Sequence, residues 1–309
     1  KRQLKAYYLA RGYLLKLIEE KQILPISISH LYFPYDDPIL KRELLSQGQI
    51  VEYSIIDEQS KFNINEIVNN PDMMRCLAHL LSNISGRDFN EAQRLVGNLK
   101  DWIDAQDVQE DNIYKSKGYS YLPRNGEIAD LSEILLVDGW TEEILYGDGT
   151  DTNKGIVDFI TIYGDGKINI NSCSQEVLNA LQKGLNQTYS NFRPQTVANL
   201  MDFMAGDDGR VGEGEDDNCL VQDRITSPPL NIAQVFNLNN DWSSVADDID
   251  RYFRDTDWAA LQDLKRDGFI TTGSQALRFE VTAELNKVRQ KIAAIVKIQD
   301  GQILYWYEK

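Results

Sequence analysis

The sequence is poor in the residues on which most catalytic and metal centres depend. Its 309 residues include only two histidines and three cysteines. His30 and His79 stand in apolar strand and helix patterns, which favours structural roles for both imidazoles. The cysteines form no Cys-x-x-Cys pair, which disfavours a zinc site or a thioredoxin-like redox centre. No phosphate-loop, dinucleotide-binding, serine-hydrolase or zinc-protease motif is present, so the sequence indicates no class of enzyme.

Basic clusters and long apolar runs are also missing. The formal net charge is −16, and no group of lysines and arginines is dense enough to form the basic face that nucleic acids require. No stretch approaches the roughly 20 apolar residues that cross a membrane as a helix. Such acidity is compatible with calcium, with basic protein partners or simply with solubility.

Three consecutive patterns divide the chain. Residues 1–65 begin with a helical pattern and continue as alternating strands, residues 66–266 contain a series of short helical patterns, and residues 267–309 alternate again as an antiparallel meander. The economical arrangement is a sheet completed by both ends of the chain, with the helical region inserted between them. The predicted fold class is therefore α+β, an antiparallel sheet carrying a large inserted all-helical domain.

The first helical pattern, KRQLKAYYLARGYLLKLIEEK, has no Ser, Thr, Asp or Asn ahead of it as a cap. We therefore expect this polypeptide to begin inside a longer helix. Its apolar side chains form one broad stripe: Leu4, Tyr8, Leu14, Leu15 and Ile18.

A short unit occurs twice. The segment Lys61–Asn65 reads K-F-N-I-N and the segment Lys167–Asn171 reads K-I-N-I-N, and each passes from a strand into a helix. Such a unit resembles the helix-hairpin-helix modules that bind DNA phosphates. The hairpin expected here, NQTYSNFRP, has no Gly-x-Gly turn and one cation, Arg193. We interpret the two units as scaffolding, in which asparagine side chains cap backbone groups where a strand becomes a helix.

Two acidic clusters are candidate calcium sites, because calcium takes six to eight oxygen ligands in flexible geometry. The first follows a helix end in DWIDAQDVQEDN, and the second combines carboxylates with glycines in GDDGRVGEGEDDN. A solvated helix end and a flexible polar loop are the respective alternatives. The candidate ligands are Asp101, Asp104, Asp107, Glu110, Asp111, Asp207, Asp208, Glu213, Glu215, Asp216 and Asp217.

Four strings together resemble the minor pseudopilin K family of type II secretion systems. They are GKININSC from residue 166, LKDWIDAQD from residue 99, EIADLSEILLVDGWTEEILYG from residue 127 and FEVTAELNKVRQKIAAIVK from residue 279. The resemblance extends over nearly the whole chain in the family's order. It implies a pilin-like fold, in which a long N-terminal helix packs on the antiparallel sheet.

The resemblance also implies a function and a location. It implies a structural subunit, not an enzyme, that joins the I and J minor pseudopilins at the tip of the pseudopilus and initiates or caps the filament during protein export. The membrane-spanning part of the first helix would precede this polypeptide, which would place the protein in the bacterial inner membrane with the present portion in the periplasm. Partners would dock on the apolar stripe of the first helix. Calcium in the helical domain is implied as well.

The sequence departs from the family pattern at Cys173 and Cys219. A disulfide between them, formed in an oxidising periplasm, is a hypothesis. Two other functions stay open from the residues alone: a calcium-dependent periplasmic hydrolase and a DNA-binding helix-hairpin-helix protein.

Overall fold

A five-stranded antiparallel sheet joins the two ends of the chain in the computed structural model. The structure describes residues 2–23, 41–45, 49–104, 114–148, 154–205, 218–219, 230–231 and 253–308. The strands of this sheet, given in their spatial order, are β1 (Lys41–Leu45), β2 (Gln49–Asp57), β9 (Ala276–Leu285), β10 (Val288–Lys297) and β11 (Ile303–Glu308). β2 pairs with β9 from Gln49 opposite Leu285 to Asp57 opposite Leu277. The predicted meeting of both chain ends in one sheet is therefore observed.

One long helix, α1 (Arg2–Ile23), lies across β9 and β10. Its sheet-facing side chains recur at helical spacing and are buried with apolar residues from both halves of the sheet. From the helix these are Ala10, Tyr13, Leu14, Leu17 and Ile18. Val51, Phe279 and Ile292 come from three different strands of the facing surface. This helix-on-sheet body has a hydrophobic core of its own.

The chain between β2 and β9 forms a largely helical insert. Within the described residues its helices are α2 (Ile64–Ile67), α3 (Pro71–Ser85), α4 (Phe89–Ile103), α5 (Glu142–Tyr146), α6 (Gln175–Leu185), α7 (Pro194–Met204) and α8 (Asp255–Arg266). Short 3-10 turns span Glu58–Ser60, Leu131–Leu136 and Ile156–Asp158. The same described residues include three short strand pairs: β3 (Phe62–Asn63) with β4 (Ile160–Thr161), β5 (Ile168–Asn169) with β8 (Ile270–Thr271), and β6 (Asn218–Cys219) with β7 (Leu230–Asn231).

Caps and close packing define the helices of the insert. The side chains of Asp88, Thr141 and Ser174 accept hydrogen bonds from the first turns of α4, α5 and α6, as their positions in the sequence predict. α3 packs against both α4 and α6. Most buried apolar residues of the insert belong to one cluster, separate from the cluster between α1 and the sheet.

The insert and the start of α1 lie at opposite ends of the sheet. The insert leaves after Asp57 and returns at Ala276, and these two positions are neighbours at one end. At the other end, Arg2 and Lys5 of α1 line a groove with Leu285. The body therefore carries the insert at the end remote from the beginning of its long helix.

The predicted α+β fold, with a long N-terminal helix on an antiparallel sheet and a large helical insertion, is confirmed. Two parallel strand pairs within the insert qualify its predicted all-helical character. The domain boundaries at residues 65 and 266 stay predictions. Residues 24–40, which include part of the alternating strand pattern predicted within residues 1–65, lie outside the described residues. Among the helices described, none combines the length and the apolar character needed to cross a membrane.

Candidate functional site

Asp57 is the centre of the junction between sheet and insert. It ends β2 and is buried, and its two carboxylate oxygens accept four hydrogen bonds, three of them from distant segments. Oδ1 accepts from the backbone nitrogen of Gln59 at 2.8 Å and from Ser274 Oγ at 2.5 Å. Oδ2 accepts from Asn169 Nδ2 at 2.7 Å and from Ser172 Oγ at 2.6 Å. Burial raises the pKa of Asp57, and these four bonds oppose that effect.

The next residue, Glu58, is buried with its own set of partners. Its Oε1 accepts from Arg278 Nε at 2.7 Å, and its Oε2 accepts from Thr161 Oγ1 at 2.5 Å. Burial alone would raise the pKa of Glu58, but the charges of Lys61 and Arg278 and the bond from Thr161 hold that pKa below its usual value. The carboxylate is therefore charged and ties the first 3-10 turn to β9 and β4.

The repeated K-apolar-N-I-N units have the same architecture. In each, two residues pair in parallel with a distant strand: Phe62 with Ile160 and Ile168 with Ile270. The first asparagine of each unit accepts a hydrogen bond from the backbone nitrogen two residues later. The second asparagine of each unit bonds to a remote backbone, that of Ile128 in the first copy and that of Thr272 in the second. This geometry is what the scaffolding interpretation predicts.

Sequence reasoning found the two units but missed the two carboxylates that stand just before the first of them. Asp57 and Glu58 are not among the site residues predicted from the sequence. An available signal was their position, since Asp and Glu follow the apolar strand QIVEYSII without an intervening turn residue. The sequence does not indicate that Ser172 and Ser274 contact Asp57 in the folded chain.

The predicted apolar stripe of α1 divides into two faces, which corrects the single docking surface expected from the sequence. Leu14 and Ile18 are buried against the sheet, so they are unavailable to a partner. Leu4, Tyr8 and Leu15 point away from the sheet, with exposed fractions between 46% and 59%. A helix that packs on a sheet buries one side, and the stripe was wide enough to reach both sides.

Only the beginning of the first acidic cluster lies in the described part of the chain. Asp101 belongs to the last turn of α4, and Asp104 follows its end. The Oδ1 atom of Asp104 is buried and has no hydrogen-bond partner among the described residues. Within the described residues, no three acidic, histidine or cysteine side chains converge as a metal-binding group. The remaining candidate ligands lie outside those residues: Asp107, Glu110, Asp111, Asp207, Asp208, Glu213, Glu215, Asp216 and Asp217.

The side chains of Cys76, Cys173 and His79 have surroundings typical of structural residues, not of reactive ones. Cys173 is a buried free thiol, so the hypothetical disulfide with Cys219 is not formed in this structure. Burial raises the pKa of Cys76 and of Cys173, which makes both thiols poor nucleophiles. His79 stacks on Phe89 with ring centroids 4.2 Å apart. His30 lies outside the described residues.

Comparisons with known proteins agree with the motifs. Residues 60–146 match the family model for protein K of the type II secretion system. A solved structure, the GspK–GspI–GspJ complex from the type 2 secretion system of enterotoxigenic Escherichia coli, contains a similar chain. The two chains are 16% identical, with a TM-score of 0.56 over 100% of this chain and 98% of that one, which establishes a common fold. No curated protein gives a significant match. The family predicted from the motifs is thus confirmed for residues 60–146, which match the model of type II secretion system protein K.

Proposed function

We propose that the chain is a minor pseudopilin, a structural subunit that joins the I and J minor pseudopilins at the tip of a type II secretion pseudopilus. The family match and the likeness to a chain of the GspK–GspI–GspJ complex support this assignment. The role requires binding and shape, with no catalytic step. Docking would use the outward face of α1, where Leu4, Tyr8 and Leu15 expose apolar surface that a neighbouring subunit can bury.

The observation that carries the capping role is the placement of the insert. It is attached at the end of the sheet remote from the start of α1. Subunits of such a filament would stack along their long helices. The end of the sheet that carries the insert would then face the site where the next subunit is added. A bulky insert there occupies the space that another subunit would need. The subunit can then bind partners below it while excluding one above it.

The docking face can be tested with the soluble domains of the I and J pseudopilins from the same secretion system. Leu4→Asp and Leu15→Asp should each weaken assembly about tenfold or more, because each places a charge in a desolvated apolar contact. Leu122→Asp is the matched control, since Leu122 is a similarly exposed apolar residue of the insert. Sedimentation velocity with titrated partners measures the effect. Equal affinity for all variants would remove α1 as the docking face.

We also propose a calcium site beside the end of α4. The buried Oδ1 atom of Asp104 supports this site, because it accepts no hydrogen bond from any described residue. Such a carboxylate oxygen is available to bind a cation. The C-terminal end of a helix also favours positive charge. Asp101 and Asp104 would supply first ligands, and the acidic residues after them in the sequence supply further oxygens of the type that calcium prefers.

Calorimetric titration with calcium, combined with thermal melts in calcium and in chelator, tests this site. Binding should stabilise the protein by about 2.7 kcal/mol at a calcium concentration one hundred times Kd. Asp104→Asn should weaken binding about tenfold, whereas Asp202→Asn, at an exposed position of α7, should leave it unchanged. Identical melting in calcium and chelator would contradict the proposal.

The proposed role carries a proposed location. A type II secretion pseudopilin is an envelope protein, and we place the described part in the periplasm. We also propose that the protein is anchored in the inner membrane, as the family resemblance implies. Fractionation of cells that express the full-length protein, with protease access from the periplasmic side, tests both statements.

A further inference from the structure

The last strand, β11, forms one edge of the main sheet. It pairs with β10 on one side, from Ile303 opposite Val296 to Glu308 opposite Ile292. Among the described residues, no strand pairs with its other side. An open edge presents backbone N–H and C=O groups that can pair with a strand from another chain. The chemistry of the edge therefore favours an extended polypeptide.

This edge carries an unusual amount of exposed apolar surface. Ile303, Leu304, Tyr305 and Tyr307 each expose between 40% and 43% of their surface. Proteins normally protect open edges with lysine, proline, β-bulges or very short strands. The six residues of β11 include neither lysine nor proline, and the register shift opposite Ile295 and Val296 falls near the start of the strand, so residues 305–308 pair regularly with β10. An unprotected edge with this composition is expected to aggregate unless a partner covers it.

The edge opens onto a groove on the face of the sheet opposite α1. The groove has a volume of about 470 Å³. Its floor includes Ile295, Tyr305 and Tyr307 from the last two strands, and its far wall comes from the insert through Leu131 and Tyr146. A strand added beside β11 would place every second side chain against the two floor tyrosines.

The charged side chains of the groove already have partners. Arg278 Nε lies 2.7 Å from Glu58 Oε1, and Lys291 Nζ lies 2.8 Å from Glu280 Oε2. Free ions or anionic ligands would have to compete with these carboxylates. The groove therefore suits apolar side chains better than charged ones.

The edge is also continuous with the helix that carries the proposed docking face. Tyr7 of α1 donates its hydroxyl hydrogen to Glu308 Oε1 at 3.0 Å, at the end of β11. Trp306 of β11 packs into the core between α1 and the sheet. A partner that reaches α1 can therefore also reach the neighbouring edge of β11, although Tyr305 and Tyr307 lie on the opposite face of the sheet.

We propose that β11 is the docking edge for an extended strand of another pseudopilin of the tip complex. The incoming strand pairs its backbone with residues 303–308 and places apolar side chains on Tyr305 and Tyr307. This proposal rests on the proposed function, and it adds a second contact to the one made by α1. The occupant is a strand with apolar side chains at every second position, because alternate side chains of an added strand would lie on the groove floor that Ile295, Tyr305 and Tyr307 form.

Amide hydrogen exchange on the whole protein tests the pairing directly. The amides of β11 that face outward should exchange fast in the free protein and at least about tenfold more slowly when the soluble I and J domains are bound, because strand addition gives them new acceptors. Exchange in α3, which is remote from the edge, should stay unchanged. A complex that forms without protection of residues 303–308 would overturn the proposal while leaving the proposed function intact.

Substitutions in β11 provide a second test of the docking edge. Tyr305→Lys and Tyr307→Lys should each lower the affinity for the partner domains about tenfold, and Leu122→Lys should change it less than twofold. Unchanged affinity for both tyrosine variants would overturn the docking edge. Protection of residues 303–308 that depends on the concentration of this protein alone would assign the edge to a second copy and also overturn the proposal. If the wild-type protein bound neither domain, both the proposed docking edge and the proposed function would be contradicted.

Discussion

At the scale of single residues, the polar contacts at the junction hold together parts of the chain that are far apart in sequence. Asp57 by itself accepts hydrogen bonds from Ser172 of the insert and from Ser274, which lies where the chain returns to the sheet. Buried polar groups stabilise a structure only when their hydrogen-bonding capacity is satisfied. Both oxygens of Asp57 meet this condition. The junction is therefore specific as well as cohesive, because another arrangement would leave these donors and acceptors unpaired.

Glu58 gives this junction a predictable dependence on pH. The pKa of Glu58 lies below its ordinary value of 4.5 in the folded protein. Its contribution to stability is therefore fully present above about pH 4.5 and is lost as the pH falls toward the folded-state pKa. Glu58→Gln should lower the free energy of unfolding by about 3 kcal/mol at pH 7, because it leaves Arg278 without its carboxylate partner.

Denaturant unfolding of the two proteins between pH 7 and pH 3 checks this prediction. The difference between wild type and Glu58→Gln should shrink at the acid end, where the wild-type carboxylate becomes protonated. Glu127→Gln, at an exposed position, should behave as wild type throughout. A difference that stays constant over the whole range would show that the charge of Glu58 does not stabilise the fold.

At the scale of elements, the insert depends on a close approach between α3 and α6. A Cβ atom added at Gly184 would lie 2.7 Å from the backbone nitrogen and Cα of Cys76 and would also collide with its sulfur atom. Backbone atoms cannot move aside as a flexible side chain can. The glycine therefore sets the distance between two helices that form the centre of the insert core.

Gly184→Ala should accordingly destabilise the insert by about 2 kcal/mol through overpacking. Gly97→Ala is the matched control, because Gly97 lies inside α4 with nothing within 4 Å of an added Cβ. That substitution should stabilise the protein by about 0.5 to 1 kcal/mol through helix propensity. Thermal unfolding of both variants separates the effects, and a stabilising Gly184→Ala would show that the helices can move apart without loss.

Patterns of neighbouring residues predicted the helices and strands better than they predicted the contacts between those helices and strands. Caps such as Ser174 and alternating strands such as β9 follow from neighbouring residues, so the sequence alone indicates them. The docking stripe predicted on α1 was wrong for Leu14 and Ile18, because periodicity identifies apolar positions without saying which of them face the sheet. The pairing of β3 with β4 involves only two residues on each side, which is too short for a sequence signal. The junction joins residues more than one hundred positions apart, and only the folded chain reveals it.

At the scale of the whole molecule, the protein consists of a body and an insert that have separate apolar cores. The body core is formed by α1 and by strands that lie on both sides of the insert in sequence. Asp57 and Leu277 are paired neighbours in adjacent antiparallel strands. A two-residue turn is the usual connection between such positions. The insert therefore occupies the position of an ordinary hairpin turn in the body.

Replacing residues 58–276 by Asn-Gly should consequently leave a body that folds on its own. The body retains its core and the outward face of α1, so it should unfold cooperatively and bind the I and J domains within about threefold of the wild-type affinity. Under the proposed capping role, it should also lose the ability to exclude a subunit above it, and the assembled complexes should become longer. Circular dichroism melts, sedimentation and electron microscopy measure the three outcomes. A shortened protein that melts without a cooperative transition would show that the body needs the insert to fold, while a folded body that still ends the assembly would place the capping role in α1 and the sheet.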